Sequence, residues 1–126
     1  PVYEAFRADR IAKMVNDKIC IYKSDNPDYM LMLSSSYSKN YSFNMHHKGS
    51  KLKYYMYMCN RRCKQCKVML NNKFYTFHDA STKPDTCSIK GPTHCLKILV
   101  PSHSLKNAQG NVKYRDTITV TMADVS

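Results

Sequence analysis

The sequence has no tryptophan, three glycines and five prolines in 126 residues. So few chain-loosening or chain-breaking residues leave little room for linkers, and no internal repeat or low-complexity tract interrupts it. One domain with a real core is expected. Long apolar runs are also missing. "YMLML" and "ILV" fall far short of the roughly 20 residues that a membrane-spanning helix needs, and the mean hydropathy is −0.54. No charged segment followed by an apolar stretch opens the sequence, so no secretory leader is read there. A further absence concerns charge. Residues 29–78 hold nine Lys/Arg and no Asp or Glu, whereas residues 1–28 balance five basic against five acidic, and residues 79–126 carry six against four.

Nearly all of the formal net charge of +11 therefore sits in one block. A concentrated positive field costs stability through self-repulsion, so its presence points to a polyanionic partner. Nucleic acid comes first, with heparin-like polymers or an acidic membrane surface behind it.

What is present is apolar and aromatic: ten tyrosines and a hydrophobic share of 43% argue for a folded domain. "EAFRADRIAKMVND" places Ala5, Ala8, Ile11, Ala12 and Val15 on one stripe at helical spacing, which predicts an N-terminal amphipathic helix. "KICIYKS" reads as a strand closed by the turn "SDNPD". Further strands are expected in "YMLMLSSSYS", "YSFNMHH", "LKYYMYMC", "CKVML", "FYTFHD", "HCLKILV" and "DTITVTM". "KGSK" makes one hairpin turn and "NNK" a second. The expectation is an α+β domain dominated by an antiparallel sheet, divided as 1–28 (helix and first strand), 29–100 (central β domain) and 101–126 (extension with a further strand).

The six cysteines are Cys20, Cys59, Cys63, Cys66, Cys87 and Cys95. An even count permits a disulfide framework. Clustered cysteines with histidines nearby also suit tetrahedral zinc, which takes two close pairs from distant parts of the chain. One pair would come from Cys59, Cys63 and Cys66, the other from Cys87, His94, Cys95 or His103, and flanking Lys and Arg favour the thiolate. No motif pairs a particular His or Asn with one Cys, so the chain reads as a binding protein and not an enzyme.

"YSFNMHHKGSKLKYYMYMCNRRCKQCKVML" resembles the FLYWCH-type zinc finger, a relative of the WRKY and GCM DNA-binding folds. Tyr29 and Leu31 stand at the aromatic/Leu opening, Tyr41 or Phe43 at the middle aromatic, Tyr57-Met58-Cys59 at the Trp-x-Cys, and Cys66-Lys67 at the second Cys. The closing His-x-His is replaced by Thr93-His94-Cys95. The resemblance implies a small zinc-bound β domain with Cys59, Cys66, His94 and Cys95 as ligands. It also implies a transcription regulator or transposon-derived protein in the nucleus that reads double-stranded DNA with a strand in the major groove. In "YSFNMHHK", Ser42, Asn44 and His46 would face DNA and Phe43 and Met45 the core, with Asn44 on adenine and His46, His47 and Lys48 on guanine. Lys51, Lys53, Arg61, Arg62, Lys64 and Lys67 would contact phosphates. Two alternatives stay open. One is an RNA-binding or protein-interaction zinc domain, with tyrosines stacking on bases; the other is a secreted, disulfide-bonded domain that binds an acidic polymer. No membrane partner is expected, and no protein partner is read.

Overall fold

Alternation with a period of two, not helical periodicity, organises the start of the chain. The computed structural model describes residues 1–6, 13–106, 108 and 112–125. Val2–Phe6 form strand β1 and Lys13–Ile19 form β2, so strands stand where the flanks of the N-terminal helix were expected. Ala8, Ile11 and Ala12 of the helical stripe lie outside the described residues. Tyr3 and Ala5 of β1 are buried, and Val15 and Ile19 of β2 pack on the core. Between Val15 and Ile19 sits Asp17, which accepts a 2.8 Å hydrogen bond from the Tyr3 hydroxyl. A carboxylate at an inward position hides the period of two in the sequence and lets a helical stripe show through.

Seven further strands follow: β3 (Tyr29–Ser35), β4 (Phe43–His47), β5 (Ser50–Asn60), β6 (Lys67–Met69), β7 (Phe74–Phe77), β8 (His94–Val100) and β9 (Lys113–Ala123). Two short helices, α1 (Thr86–Ile89) and α2 (Ser102–Lys106), lie in the connections around β8. The strands run in the order β2–β8–β5–β4–β9–β3–β7, with β1 added on β9 and β6 on β5, and all the strand pairs are antiparallel. The architecture is thus antiparallel β, which corrects the α+β zinc-domain expectation. β5 pairs with β4 through residues 50–54 and with β8 through 55–60, while β9 pairs with β1 through 113–117 and with β3 through 118–123. Each long strand therefore serves two sets of neighbours and turns the inner faces onto one apolar cluster. "CKVML" and "FYTFHD" do not make a hairpin: β6 pairs with β5 and β7 with β3. The crossing is held by buried Asn71. Its amide donates to the carbonyls of Ser38 and Asn40 at 3.1 and 2.7 Å, and its Oδ1 accepts from the Ser35 N–H at 2.8 Å.

Four tyrosines are buried with their rings in the core, and each hydroxyl has a partner: Tyr3 with Asp17, Tyr29 with Asp79, Tyr54 with Asp116, Tyr114 with Ser50. An interior tyrosine contributes apolar area only if its hydroxyl is satisfied, and this is how the chain dispenses with tryptophan. Asp116 is itself fully buried and accepts from Ser35 Oγ at 2.6 Å, from the Ser36 N–H at 3.2 Å and from the Tyr54 hydroxyl. Burial outweighs those bonds and holds its carboxyl above the ordinary value of 3.8. The sign follows: its contribution is fully present below the unfolded value and is lost as pH rises through the folded one. Asp116→Asn keeps one acceptor oxygen and removes the charge, so the stability difference between acid and neutral pH is expected to shrink. Urea midpoints on both sides of the carboxylate range check this; an unchanged difference would contradict it.

All six cysteines are paired, as Cys20–Cys87, Cys59–Cys66 and Cys63–Cys95, with Cα separations of 6.1, 4.1 and 5.2 Å. This corrects the zinc expectation. Cys59 and Cys66 bind each other, Cys95 binds Cys63, and a sulfur in a disulfide is no thiolate ligand. Among the described residues, no group of three or more ligating side chains comes together. His94, the fourth expected ligand, is buried; it shares a 2.7 Å hydrogen bond with Thr93 Oγ1 and reaches Asp79 at 3.0 Å. The Thr93 hydroxyl also accepts the Ile21 N–H at 2.8 Å, so these bonds tie the start of β8 to the end of β2. His103 is exposed on α2 and Cys87 is bonded to Cys20. Structural disulfides persist in oxidising compartments, so the chain belongs to an extracellular or periplasmic setting and not, as expected, to the nucleus.

Candidate anion-binding surface

The β4–β5 hairpin turns on Lys48 and Gly49, both at positive φ (44° and 84°), the geometry of a tight two-residue hairpin turn. His47 opposes Ser50 across it, which fixes the register: Asn44 faces Lys53, and His46 faces Lys51. Phe43, Met45, Leu52, Tyr54, Met56 and Met58 are buried, leaving Lys51, Lys53, Tyr55 and Tyr57 in one row on the outer face of β5. At about 3.4 Å per residue that row spans roughly 20 Å. Lys53 Nζ lies 5.6 Å from the Tyr55 ring centre. On the neighbouring strand Lys97 stands opposite Tyr57, and on β2 Asn16 stands opposite Lys97 and Lys18 opposite Cys95. No carboxylate interrupts the outer positions of β4 and β5, because residues 29–78 contain none.

Beyond the end of β5 the chain forms a tight cationic loop. Asn60 Oδ1 accepts the N–H groups of Arg62 and Lys64 at 2.9 and 3.1 Å. Cys63 and Gln65 take positive φ values of 58° and 52°, a strained choice for side-chain-bearing residues. The Cys59–Cys66 and Cys63–Cys95 disulfides close this loop onto β5 and β8. Arg61, Arg62 and Lys64 are exposed on it, so three cations sit on a doubly stapled support.

The third feature is a shallow cleft of about 460 Å³ at the hairpin's tip, lined by Tyr37, His46, His47, Lys48, Lys113 and Arg115, with Val112 beside them. Tyr37 stacks on His46 with ring centres 4.8 Å apart and planes 14° from parallel. The Gly49 N–H donates to His46 Nε2 at 3.2 Å and sets the ring's orientation. Glu4 of β1 pairs with Arg115 Nε at 2.7 Å and with Lys113 Nζ at 3.1 Å. The Lys113 hydrogen bond, with the charges of Arg115 and Lys13, holds the Glu4 carboxyl below its usual range.

The expected site residues thus divide. His46, His47 and Lys48 meet in the cleft. Ser42 and Lys53 line a separate crevice of about 80 Å³ with Tyr41, Tyr55 and Leu70. Asn44 and Lys51 lie on the sheet face between them, and Arg61, Arg62 and Lys64 on the stapled loop. Lys67 stands apart: its Nζ lies 5.0 and 5.3 Å from the rings of Tyr75 and Phe77 and covers an edge of the core. Tyr37, Lys97, Lys113 and Arg115 were missed. Arg115 comes to His46 only through the β4–β9 pairing, across 69 residues of chain, and no local pattern encodes that. Tyr37 carried one weak signal, an aromatic alone in the polar stretch "SSSYSKN".

Together these features define a disulfide-stapled antiparallel β domain with a basic, tyrosine-bearing surface. No family model and no curated protein sequence matches the chain. Among solved structures, a chain from a chaperone–tip adhesin complex described as vital for synergistic activation of CFA/I fimbriae biogenesis shares the fold, with a TM-score of 0.58 and 14% identity. The match covers 99% of this chain and 36% of that one, so this chain spans about a third of the neighbour's length. At that identity the likeness concerns the fold alone. An adhesin-complex fold with three disulfides and no metal-ligating group among the described residues overturns the FLYWCH-type assignment, and with it the zinc-finger, DNA-binding and transcription-regulator reading.

Proposed function

We propose that this chain is a non-catalytic binding domain of an oxidising compartment, and that it holds acidic polysaccharide on the outer face of β4, β5 and β8. The observation that carries this reading is the uninterrupted row Lys51–Lys53–Tyr55–Tyr57 with Lys97 beside it, continued by the stapled Arg61, Arg62 and Lys64. A repeating polyanion can meet such a row at successive charges, while tyrosine rings accept the C–H faces of sugars between them. The disulfides support the choice of acidic glycan over nucleic acid, since they place the chain in an oxidising setting outside the cytoplasm. Charge supplies the attraction, so binding weakens as salt screens it. The occurrence of the fold in a tip-adhesin complex agrees with a surface-attachment role.

The test is retention of the oxidised protein on immobilised heparin against a neutral dextran control. Changing Lys51, Lys53 and Lys97 together to Gln removes three exposed or half-exposed cations without touching the core, so folding is preserved and affinity is expected to fall at least tenfold. Elution of the unaltered protein with the dextran control, or equal retention of the triple variant, would contradict the reading.

A further inference from the structure

We infer that the two disulfides beneath the cationic loop form a thiol-exchange site. A small monothiol attacks Cys66, and the chain then passes to a second covalent framework, Cys59–Cys95 with Cys63–Cys66. The observation behind this is a register. β5 is flanked by β6 and β8, and Cys59 stands directly opposite Cys95 on β8. On the other flank the pairs Tyr57–Val68 and Met58–Lys67 bring Cys66 next in line opposite Cys59, with Cα atoms 4.1 Å apart. Directly opposed residues of antiparallel strands point to the same face, with Cα atoms roughly 4.5–5.5 Å apart. That spacing falls inside the range of roughly 4.4–6.8 Å that a disulfide spans. Cys59 therefore has a cysteine in bonding register on each side, and it is joined to one of them.

The sulfurs lie where they can move. Cys59 continues the alternate positions of Lys53, Tyr55 and Tyr57, so it belongs to the outer face of β5. There Cys59, Cys63 and Cys95 form a small cluster with Tyr57 packed on it, apart from the main core. Exchange among them asks the loop of residues 60–66 to shift and leaves the core alone. Access is one-sided: Cys66 is exposed, whereas Cys59, Cys63 and Cys95 are 3%, 7% and 0% exposed. An incoming thiolate therefore bonds to Cys66 and expels the Cys59 sulfur inward as a thiolate. Cys59 attacks Cys95, forming Cys59–Cys95 and releasing Cys63. Cys63 then attacks the capped Cys66, whose Sγ already lies 3.7 Å from the Cys63 carbonyl oxygen. That step forms Cys63–Cys66 and returns the monothiol as a thiolate. Three S–S bonds form and three break, with no net oxidation and no proton consumed. Arg61, Arg62 and Lys64, interspersed with these cysteines along the chain, favour each departing thiolate. The original bonds join residues 7 and 32 positions apart, the exchanged ones 36 and 3. Loop closure then favours the original set by a factor of only about three. Cys20–Cys87 has no third sulfur in register, since Cys95 stands opposite Lys18. The inference uses no ligand and stands whether or not the sheet face holds acidic polysaccharide.

The experiment incubates the intact oxidised protein with reduced glutathione in mildly alkaline, oxygen-free buffer without denaturant. Free thiols are then blocked with N-ethylmaleimide in acid, and the tryptic peptides are weighed by mass spectrometry. Trypsin cuts after Arg61, Arg62, Lys64, Lys67, Lys90 and Lys97, so each of the four cysteines falls on its own peptide. Peptides joined as Cys59–Cys95 and Cys63–Cys66 are expected in equal amounts, within about tenfold of the original pairs. Cys20–Cys87 should persist, and glutathione should be found on Cys66 but on neither Cys63 nor Cys95. Cys66→Ser gives a second reading, because it leaves Cys59 without its bond and needs no added thiol. Alkylation of that variant is expected to label Cys59 in some molecules and Cys63 in others. The original pairs alone, a lasting Cys66 adduct with no second framework, or peptides joining Cys20 or Cys87 to the other four would overturn the inference. So would a folded Cys66→Ser chain labelled at Cys59 only. The first arm uses the unaltered protein, so it decides the question even where the variant fails to fold.

Discussion

Reduction of the three disulfides is expected to unfold the chain. By loop-closure entropy, bonds joining residues 67 and 32 positions apart contribute about 4 kcal/mol each, and the bond across 7 positions about 2.5 kcal/mol. Their sum, about 10 kcal/mol, matches the whole stability of an ordinary domain, about 5–15 kcal/mol. The three bonds are not equivalent in what else they hold. Cys20–Cys87 fastens the exit of β2 to α1, and its replacement by two alanines is expected to lower stability by about 4 kcal/mol while leaving the basic loop intact. Cys63–Cys95 and Cys59–Cys66 instead hold the strained backbone at Cys63 and Gln65. Removing either frees Arg61, Arg62 and Lys64 to spread, and heparin affinity should fall along with stability. Denaturant unfolding with and without reductant checks the first point. A reduced chain that still unfolds cooperatively at the oxidised midpoint would contradict it.

Alkaline solution should bring a second large effect. Tyr3, Tyr29 and Tyr54 all have hydroxyl pKa values pushed well above the ordinary 10.0, chiefly by burial and then by hydrogen bonds to Asp17, Asp79 and Asp116. Their folded values lie above their unfolded ones, so the contribution is complete below about pH 10 and is lost as pH rises beyond it. In the unfolded chain all three ionise near 10; in the fold they cannot. Three such groups acting together remove about 4 kcal/mol for each further pH unit. A near-ultraviolet phenolate titration should therefore show those three of the ten tyrosines ionising late, in one step with the loss of structure. Smooth independent ionisation of all ten would refute the buried network.

How far the sequence reveals this fold varies residue by residue. The strands β3, β4, β5 and β8 were legible because their inward residues are mostly apolar, as in Tyr29–Leu31–Leu33 and Leu52–Tyr54–Met56–Met58, with buried polar Ser35 and His94 only at strand ends. The hairpin turn was legible because Lys48-Gly49 supplies its positive φ values. β1 and β2 were not, since Asp17 occupies an inward place and its satisfaction by Tyr3 is a contact across 14 residues. The partner strands of β6 and β7 were hidden for the same reason: Asn71 reads as an exposed turn residue, yet it is buried with its amide bound to Ser38 and Asn40. The cysteines were the costliest ambiguity. Cys59, Cys63, Cys66 and Cys95 come close together under either a metal or a disulfide reading, and spacing alone does not separate the two. The basic block, by contrast, was plain in composition. What composition withheld was its shape, a row on β5, a stapled loop and a cleft, because Lys97 and Arg115 reach those places through pairings that are remote in sequence.

The cysteine chemistry carries the compartment, the ligand class and much of the stability, so the most direct measurement is alkylation of the purified, denatured, never-reduced chain, read by intact mass. No alkyl group is expected before reduction and six after it, with tryptic peptides joined through Cys20–Cys87, Cys59–Cys66 and Cys63–Cys95. Six alkyl groups added without reduction, accompanied by one zinc per chain in the native protein, would contradict it.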